Sequence, residues 1–169
     1  VDEITEALSA MVERLHEFNP QLRILFTISP IRHIADGLEV NSLSKATLRV
    51  AVANVNRVYR DFTAYFPAYE IVMDDLRDYR FYAADMVHPS DVAIGYIWQS
   101  FQAAYFDDAS TQAIARCERV MKRLTHRPMT ANREIVERFY ADTKAVVTNL
   151  VKEYPYIANI KEINDLISE

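Results

Sequence analysis

Asp85 and His88 stand three residues apart in the stretch Asp85-Met86-Val87-His88-Pro89-Ser90, directly ahead of a long apolar pattern of helical period. A histidine serves as general base at neutral pH because its ordinary pKa is about 6.5. It does so best when a carboxylate fixes its tautomer and stabilises the imidazolium that forms. An aspartate three residues upstream on a loop can turn back to reach the ring. The same residues carry a plainer reading: Asp85 accepts backbone amides in a turn, His88 is structural, and Ser90 caps the helix. The sequence pattern leaves both open.

An acid–base pair needs a nucleophile. Ser29, Ser90 and Cys117 are the candidates. Ser90 reads as a helix cap, and Cys117 lies in mid-helix as a small buried hydrophobe. Ser29 ends a predicted strand beside Pro30 but lacks the glycine-rich elbow that exposes a nucleophilic serine. Read as an acid–base pair, Asp85 and His88 would be two parts of a triad, inactive alone.

Arg32 and His33 follow the same strand. Loops at the carboxyl ends of strands line the ligand crevice of an open α/β sheet. Arg32 is therefore a candidate for an anionic substrate group or a developing oxyanion, with His33 beside it. The alternative is a surface pairing of Arg32 with Asp36 or Glu39. Asp74, Asp75 and Asp78 lack the spacing and glycine of a calcium loop and read as a solvated face. Tyr65, Phe66, Tyr69, Tyr79, Phe81 and Tyr82 read as core aromatics whose hydroxyls reach polar partners. His16 and His126 have no partner at ligand spacing. No metal and no cofactor is expected.

The elements that must position these residues follow from periodicity. Val1–Phe18 reads as a helix with Ile4, Leu8, Met11, Val12 and Leu15 on one face, stopped by Asn19-Pro20. Arg23–Ser29 reads as a short buried strand and Ile31–Val40 as a loop. A helix over Lys45–Arg60, capped by Asn41 or Ser42, directs Leu48, Val52, Val55 and Tyr59 inward. Thr63–Phe66 is a second strand, which makes a βαβ unit. Glu70–Leu76 is a short helix and Arg77–Met86 a tyrosine-rich connection. Ser90–Tyr105 is a helix with Val92, Tyr96, Ile97 and Phe101 inward. Ser110–Thr125, Ala131–Tyr154 and Asn159–Ile167 complete the chain.

The 169 residues are half hydrophobic, enough for one well-packed domain. A net charge of -5 argues against a nucleic-acid or anionic-membrane partner. A single cysteine excludes a disulfide framework and suits a reducing cytoplasm. Only two glycines occur, Gly37 and Gly95, against an average of about 7%. Two strands cannot cover their own edges, so self-association through them is expected. Together with the start at Val1, these features lead us to expect a piece of a longer protein that begins mid-domain.

Four blocks carry a resemblance: Thr27–His33 (TISPIRH), Asn41–Ala46 (NSLSKA), Tyr65–Ser90 (YFPAYEIVMDDLRDYRFYAADMVHPS) and His126–Pro128 (HRP). Together they resemble the GSCFA domain family, which is similar to the SGNH, or GDSL-like, hydrolases. The resemblance implies a predominantly helical α/β fold, the remnant of a three-layer parallel sheet. Residues 1–106 would be the C-terminal part of that domain, and 107–169 a helical extension packed on the same core. The Gly-Ser-Cys-Phe-Ala motif that names the family does not occur in this chain. By analogy with SGNH hydrolases it would supply the nucleophile, while Asp85 and His88 match the acid–base pair that such enzymes place before a closing helix. Arg32 and His33 fall near the block that supplies oxyanion donors, although its usual asparagine is not in TISPIRH. The implied function is hydrolysis of a small acyl or ester substrate. The other class of reading is a non-catalytic binding or scaffold module, with Ser110–Glu169 contacting a partner.

Overall fold

The computed structural model describes residues 1–168; Glu169, the last residue of the expected helical extension, lies outside them. The chain is a predominantly helical α/β protein that divides into two compact units, Val1–Ala104 and Tyr105–Glu169.

The first unit opens with α1 (Asp2–Phe18). Asp2 and Glu3 in its first turn match the sign of the helix dipole there. Val12 is fully buried, while Met11 and Leu15 stay largely exposed. The inward face instead includes His16, whose ring stacks on Phe62 at 3.9 Å. The chain turns at Asn19, whose Oδ1 accepts the Gln21 amide at 3.0 Å. It then enters β1 (Ile24–Thr27), shorter at both ends than the apolar run. β1 pairs in parallel with β2 (Thr63–Phe66), Ile24 opposite Thr63 and Thr27 opposite Phe66. The Arg23 guanidinium donates to the Asp61 carbonyl and ties the two strand starts together.

The crossover helix α2 spans Gly37–Val58 and begins eight residues ahead of the expected start at Lys45. Neither Asn41 nor Ser42 caps it. Asn41 Oδ1 accepts the His33 amide at 2.9 Å and so ties the incoming chain to the helix from within. Gly37, at φ 81°, supplies the left-handed residue that turns the chain out of a short 3-10 turn (Ile34–Asp36). The buried face of α2 is Lys45, Ala51, Val52 and Val55; Leu48 is largely exposed. Lys45 is only 5% exposed, and its Nζ donates to the Ser29 carbonyl at 2.6 Å.

After β2, α3 (Ala68–Glu70) widens into a π-helix over Ile71–Leu76 and ends at Arg77, a non-glycine residue at φ 45°. Glu70 joins this segment to α2 and β2. Its Oε1 accepts from Arg49 Nε at 3.0 Å, and its Oε2 from the Tyr65 hydroxyl at 2.7 Å. Asp78 caps a further 3-10 turn, Tyr79–Phe81. The helix α4 spans Asp91–Tyr105. Of its four expected inward residues Ile97 and Phe101 are partly buried, while Val92 and Tyr96 are not. Ala93 is fully buried, whereas Val92 is 69% exposed and Tyr96 also faces outward. The small Ala93 side chain permits close approach, and the Tyr96 hydroxyl stays at the surface to donate to Asp75 Oδ2 at 2.6 Å.

The second unit holds α5 (Asp108–Thr125), α6 (Arg133–Glu153), a 3-10 turn (Pro155–Asn159) and α7 (Lys161–Ser168). Asp107 caps α5 by accepting the Ser110 amide at 2.8 Å, and Asn132 caps α6 through the Glu134 amide at 3.0 Å. Val120, Val147, Leu150, Ile157 and Ile163 form a buried cluster, with Cys117 packed against it. No described helix is long and apolar enough to cross a membrane.

Candidate active site

The segment between the tyrosine-rich turn and α4 is a short antiparallel return. Tyr82 and Pro89 bridge it, the Ala83 amide donates to the His88 carbonyl at 2.8 Å, and the Ser90 amide to the Phe81 carbonyl at 2.8 Å. Asp85 lies at its tip. Oδ1 accepts the amides of Val87 (2.9 Å) and His88 (3.0 Å). Oδ2 lies 2.7 Å from His88 Nδ1. The carboxylate thus makes both kinds of contact, backbone through Oδ1 and imidazole through Oδ2. The His88 side-chain bond, with the two amides behind it, holds the Asp85 carboxyl down to about 2. The side chains of both residues are about half exposed, and His88 Nε2 has no hydrogen-bond partner among the described residues.

This turn is held from outside. Met86 has φ 60°, a left-handed conformation that costs a non-glycine residue of order 1–3 kcal/mol and persists only when its surroundings over-determine it. Within the turn the Met86 amide donates to the Ala83 carbonyl at 2.9 Å, and Arg32 adds contacts from outside. Its amide donates to the Val87 carbonyl at 3.3 Å, its Nη1 to the Met86 carbonyl at 3.2 Å, and its guanidinium lies 4.0 Å over the Tyr82 ring. Among the described residues Arg32 makes no pair with Asp36 or Glu39, so the surface pairing weighed from sequence is not formed. Arg32 also lines a small cavity of about 200 Å³ with Arg77, Asp78 and Tyr79. His33 is exposed, and its amide is engaged by Asn41.

His88 lines a larger groove of about 550 Å³. The walls are mostly apolar, with Phe66, Ile94, Ile97, Trp98 and Phe101 prominent. Phe101 meets Phe66 edge-on at 5.1 Å and lies 5.8 Å from Trp98. Thr27, Ser29 and His88 are the polar side chains of the lining. The Ser29 hydroxyl accepts the Ile31 amide at 3.2 Å. The Ser90 hydroxyl accepts the Ala93 amide at 3.4 Å, which makes it the cap of α4. Cys117 belongs to the second unit's core. Among the described residues no three His, Cys, Asp or Glu side chains gather as a metal site. Asp74, Asp75 and Asp78 do not converge: Asp75 serves Tyr96, and Asp78 its own turn.

The GSCFA family matches residues 1–101 of the 169. The chain belongs to the GSCFA family. No curated protein and no solved structure matches it. The match to the GSCFA family takes in Asp85, His88, Arg32, His33 and the groove through Phe101, while the His126–Pro128 block lies beyond it. Two features of this GSCFA chain escaped the sequence reading. Lys45 beneath Ser29 had no signal, because a lysine in a helix pattern reads as surface. The groove wall had one: α4 is apolar around most of its circumference (Val92, Ile94, Ile97, Trp98), more than one buried stripe requires.

Proposed function

We propose that this chain carries the acid–base half of an SGNH-like ester or acyl hydrolase, in which His88 moves the proton and Asp85 orients it. The observation that supports this is the 2.7 Å contact between His88 Nδ1 and Asp85 Oδ2, with Nε2 left unpartnered on a residue that lines a ligand-sized groove. With Nδ1–H bound to the carboxylate, Nε2 is the basic nitrogen. It takes the proton of an attacking hydroxyl or thiol as the tetrahedral intermediate forms, and returns it to the leaving alkoxide as that intermediate collapses. Asp85 stabilises the imidazolium between the two transfers. The attacking group is assigned to the Gly-Ser-Cys-Phe-Ala motif, which these 169 residues do not contain, so the chain alone is expected to be inactive.

The test is turnover of simple acyl esters, from butyrate to decanoate, by the complete gene product. His88→Ala should lower it by about a hundredfold or more. Undiminished turnover in that variant would overturn the reading.

A second reading, a binding or scaffold module, draws on one feature of the second unit. Arg116, Arg119, Lys122 and Arg123 rim a groove of about 470 Å³ whose apolar floor includes Val120 and Leu150. Such a surface suits an acidic partner. This reading expects no turnover by the complete gene product and, at most, a stability cost for Asp85→Ala.

A further inference from the structure

We propose that the groove beside His88 is an acyl-chain site, so that the substrate of the proposed hydrolase carries a medium or long apolar acyl group rather than a short or polar one. The inference rests on the hydrolase reading for its substrate and on the groove for its chemistry. The lining is graded along α4. His88 and Pro89 lie just ahead of the helix, Ile94 in its first turn, and Ile97, Trp98 and Phe101 follow toward its end. From Ile94 to Phe101 the helix rises about 10 Å, the reach of an extended medium-length acyl chain. The strand side runs in the opposite chain direction, from the Phe101 end toward His88. Thr27 and Phe66 are paired in register, and Phe66 touches Phe101, while Ser29 and Ile31 continue past the strand end. The His88 imidazole lies at one end of the groove, Ser29 lies past the strand end and Thr27 beside Phe66, and the other lining side chains are mainly hydrocarbon and aromatic ring.

That gradient selects the occupant. An extended peptide laid in the groove would desolvate its amides and carbonyls against walls that offer few hydrogen-bond partners, at a cost for every group left unpaired. A polar or sugar acyl group meets the same penalty. An acyl chain has no such groups: its carboxyl or ester carbon lies by His88, and each methylene along α4 leaves water.

Trp98 is the chain's only tryptophan and a wall of the groove, so its emission reports occupancy without any chemistry. The probe is decanoate, the acid such a reaction would release, titrated below its micelle concentration. The expected result is a saturable shift of Trp98 emission. Affinity should rise about three- to fourfold per added methylene from hexanoate to decanoate, and butyrate should give almost no response. Ile94→Glu places a carboxylate on a wall position that is 53% exposed, where the fold tolerates it. It should weaken decanoate at least tenfold. Val146→Glu, in the groove of the second unit, should leave decanoate binding unchanged and so exclude general adsorption of amphiphiles. No response to decanoate, an equal response in Ile94→Glu, or emission that follows protein concentration instead of decanoate (a second copy seated in the groove) would each overturn the proposal. The hydrolase reading fails separately. Turnover of butyrate esters without decanoate binding removes the acyl site alone, and decanoate binding without any ester turnover removes the hydrolase alone.

Discussion

Arg32 and Met86, 54 positions apart in the chain, are joined by a hydrogen bond of 3.2 Å from the guanidinium to the main-chain carbonyl. The bond closes on the one residue between Asp85 and His88 that has a left-handed backbone. It therefore bears on the geometry of the Asp85–His88 contact without touching either side chain.

Arg32→Ala removes this bond and the stacking on Tyr82. We expect a loss of about 1–2 kcal/mol in urea unfolding, together with faster exchange of the Val87 and His88 amides. Arg32→Lys should recover only part of the loss, because an ammonium cannot both lie flat on Tyr82 and donate to Met86. Unchanged amide protection in Arg32→Ala would show that the turn holds itself.

Asp85 sets an acid limit on the turn. Its carboxyl is held at about 2 in the folded chain, below the ordinary value near 3.9. A carboxyl lowered on folding contributes stability that is complete above its unfolded value and is lost as pH falls from about 4 toward 2. The Asp85 carboxyl resonance should therefore titrate with a midpoint near 2, and Asp85→Asn should flatten that part of the stability profile. A midpoint near 4 would mean that the bonds to His88 and Val87 do not persist in solution.

Lys45 acts at the other end of the scale. Burial lowers its pKa, so the unfolded chain holds this proton more tightly. Stability should rise with pH in the window just below the ordinary lysine value of about 10.4. Lys45→Met keeps the volume and releases the Ser29 carbonyl from its part-buried bond. It should be neutral or stabilising by up to about 1 kcal/mol at pH 7, with the alkaline rise removed. Denaturation at pH 7 and pH 10 separates these outcomes.

Tyr65 has the opposite sign. Burial and the Glu70 carboxylate raise its phenol well above the usual value, so its contribution is present below about pH 10 and declines above it. Tyr65→Phe should cost about 1 kcal/mol at neutral pH and make the alkaline decline shallower, since Glu70 keeps its bond to Arg49. Matching alkaline slopes in the two proteins would contradict the assignment.

β1 and β2 pair only with each other among the described residues, so each leaves one edge open. We propose that the chain self-associates through these edges. Sedimentation should show a concentration-dependent species that Leu25→Lys, on the exposed face of β1, reduces. A monomer at all concentrations would remove the proposal.

The sequence by itself determined whatever depends on neighbours along the chain. The period of α1, the apolar runs of both strands and the helix after Ser90 were legible because their signals repeat within a few residues. The Asp85–His88 contact was legible for the same reason, since a spacing of three on a turn brings the groups together locally. The GSCFA resemblance was legible in blocks that keep their order. What only the tertiary structure decided is what long-range packing imposes. The early start of α2 depends on Asn41 reaching back to His33. The inward face of α4 depends on which residue fits beneath it, and Ala93 wins over the larger Val92. The burial of Lys45 depends on a carbonyl sixteen positions away. Arg32 was read from sequence as a ligand-binding or surface group. Its bond to Met86 exists only because β1 and the turn before α4 end side by side, and the free energy of that contact is set by the distance between them in space, which no spacing along the chain encodes.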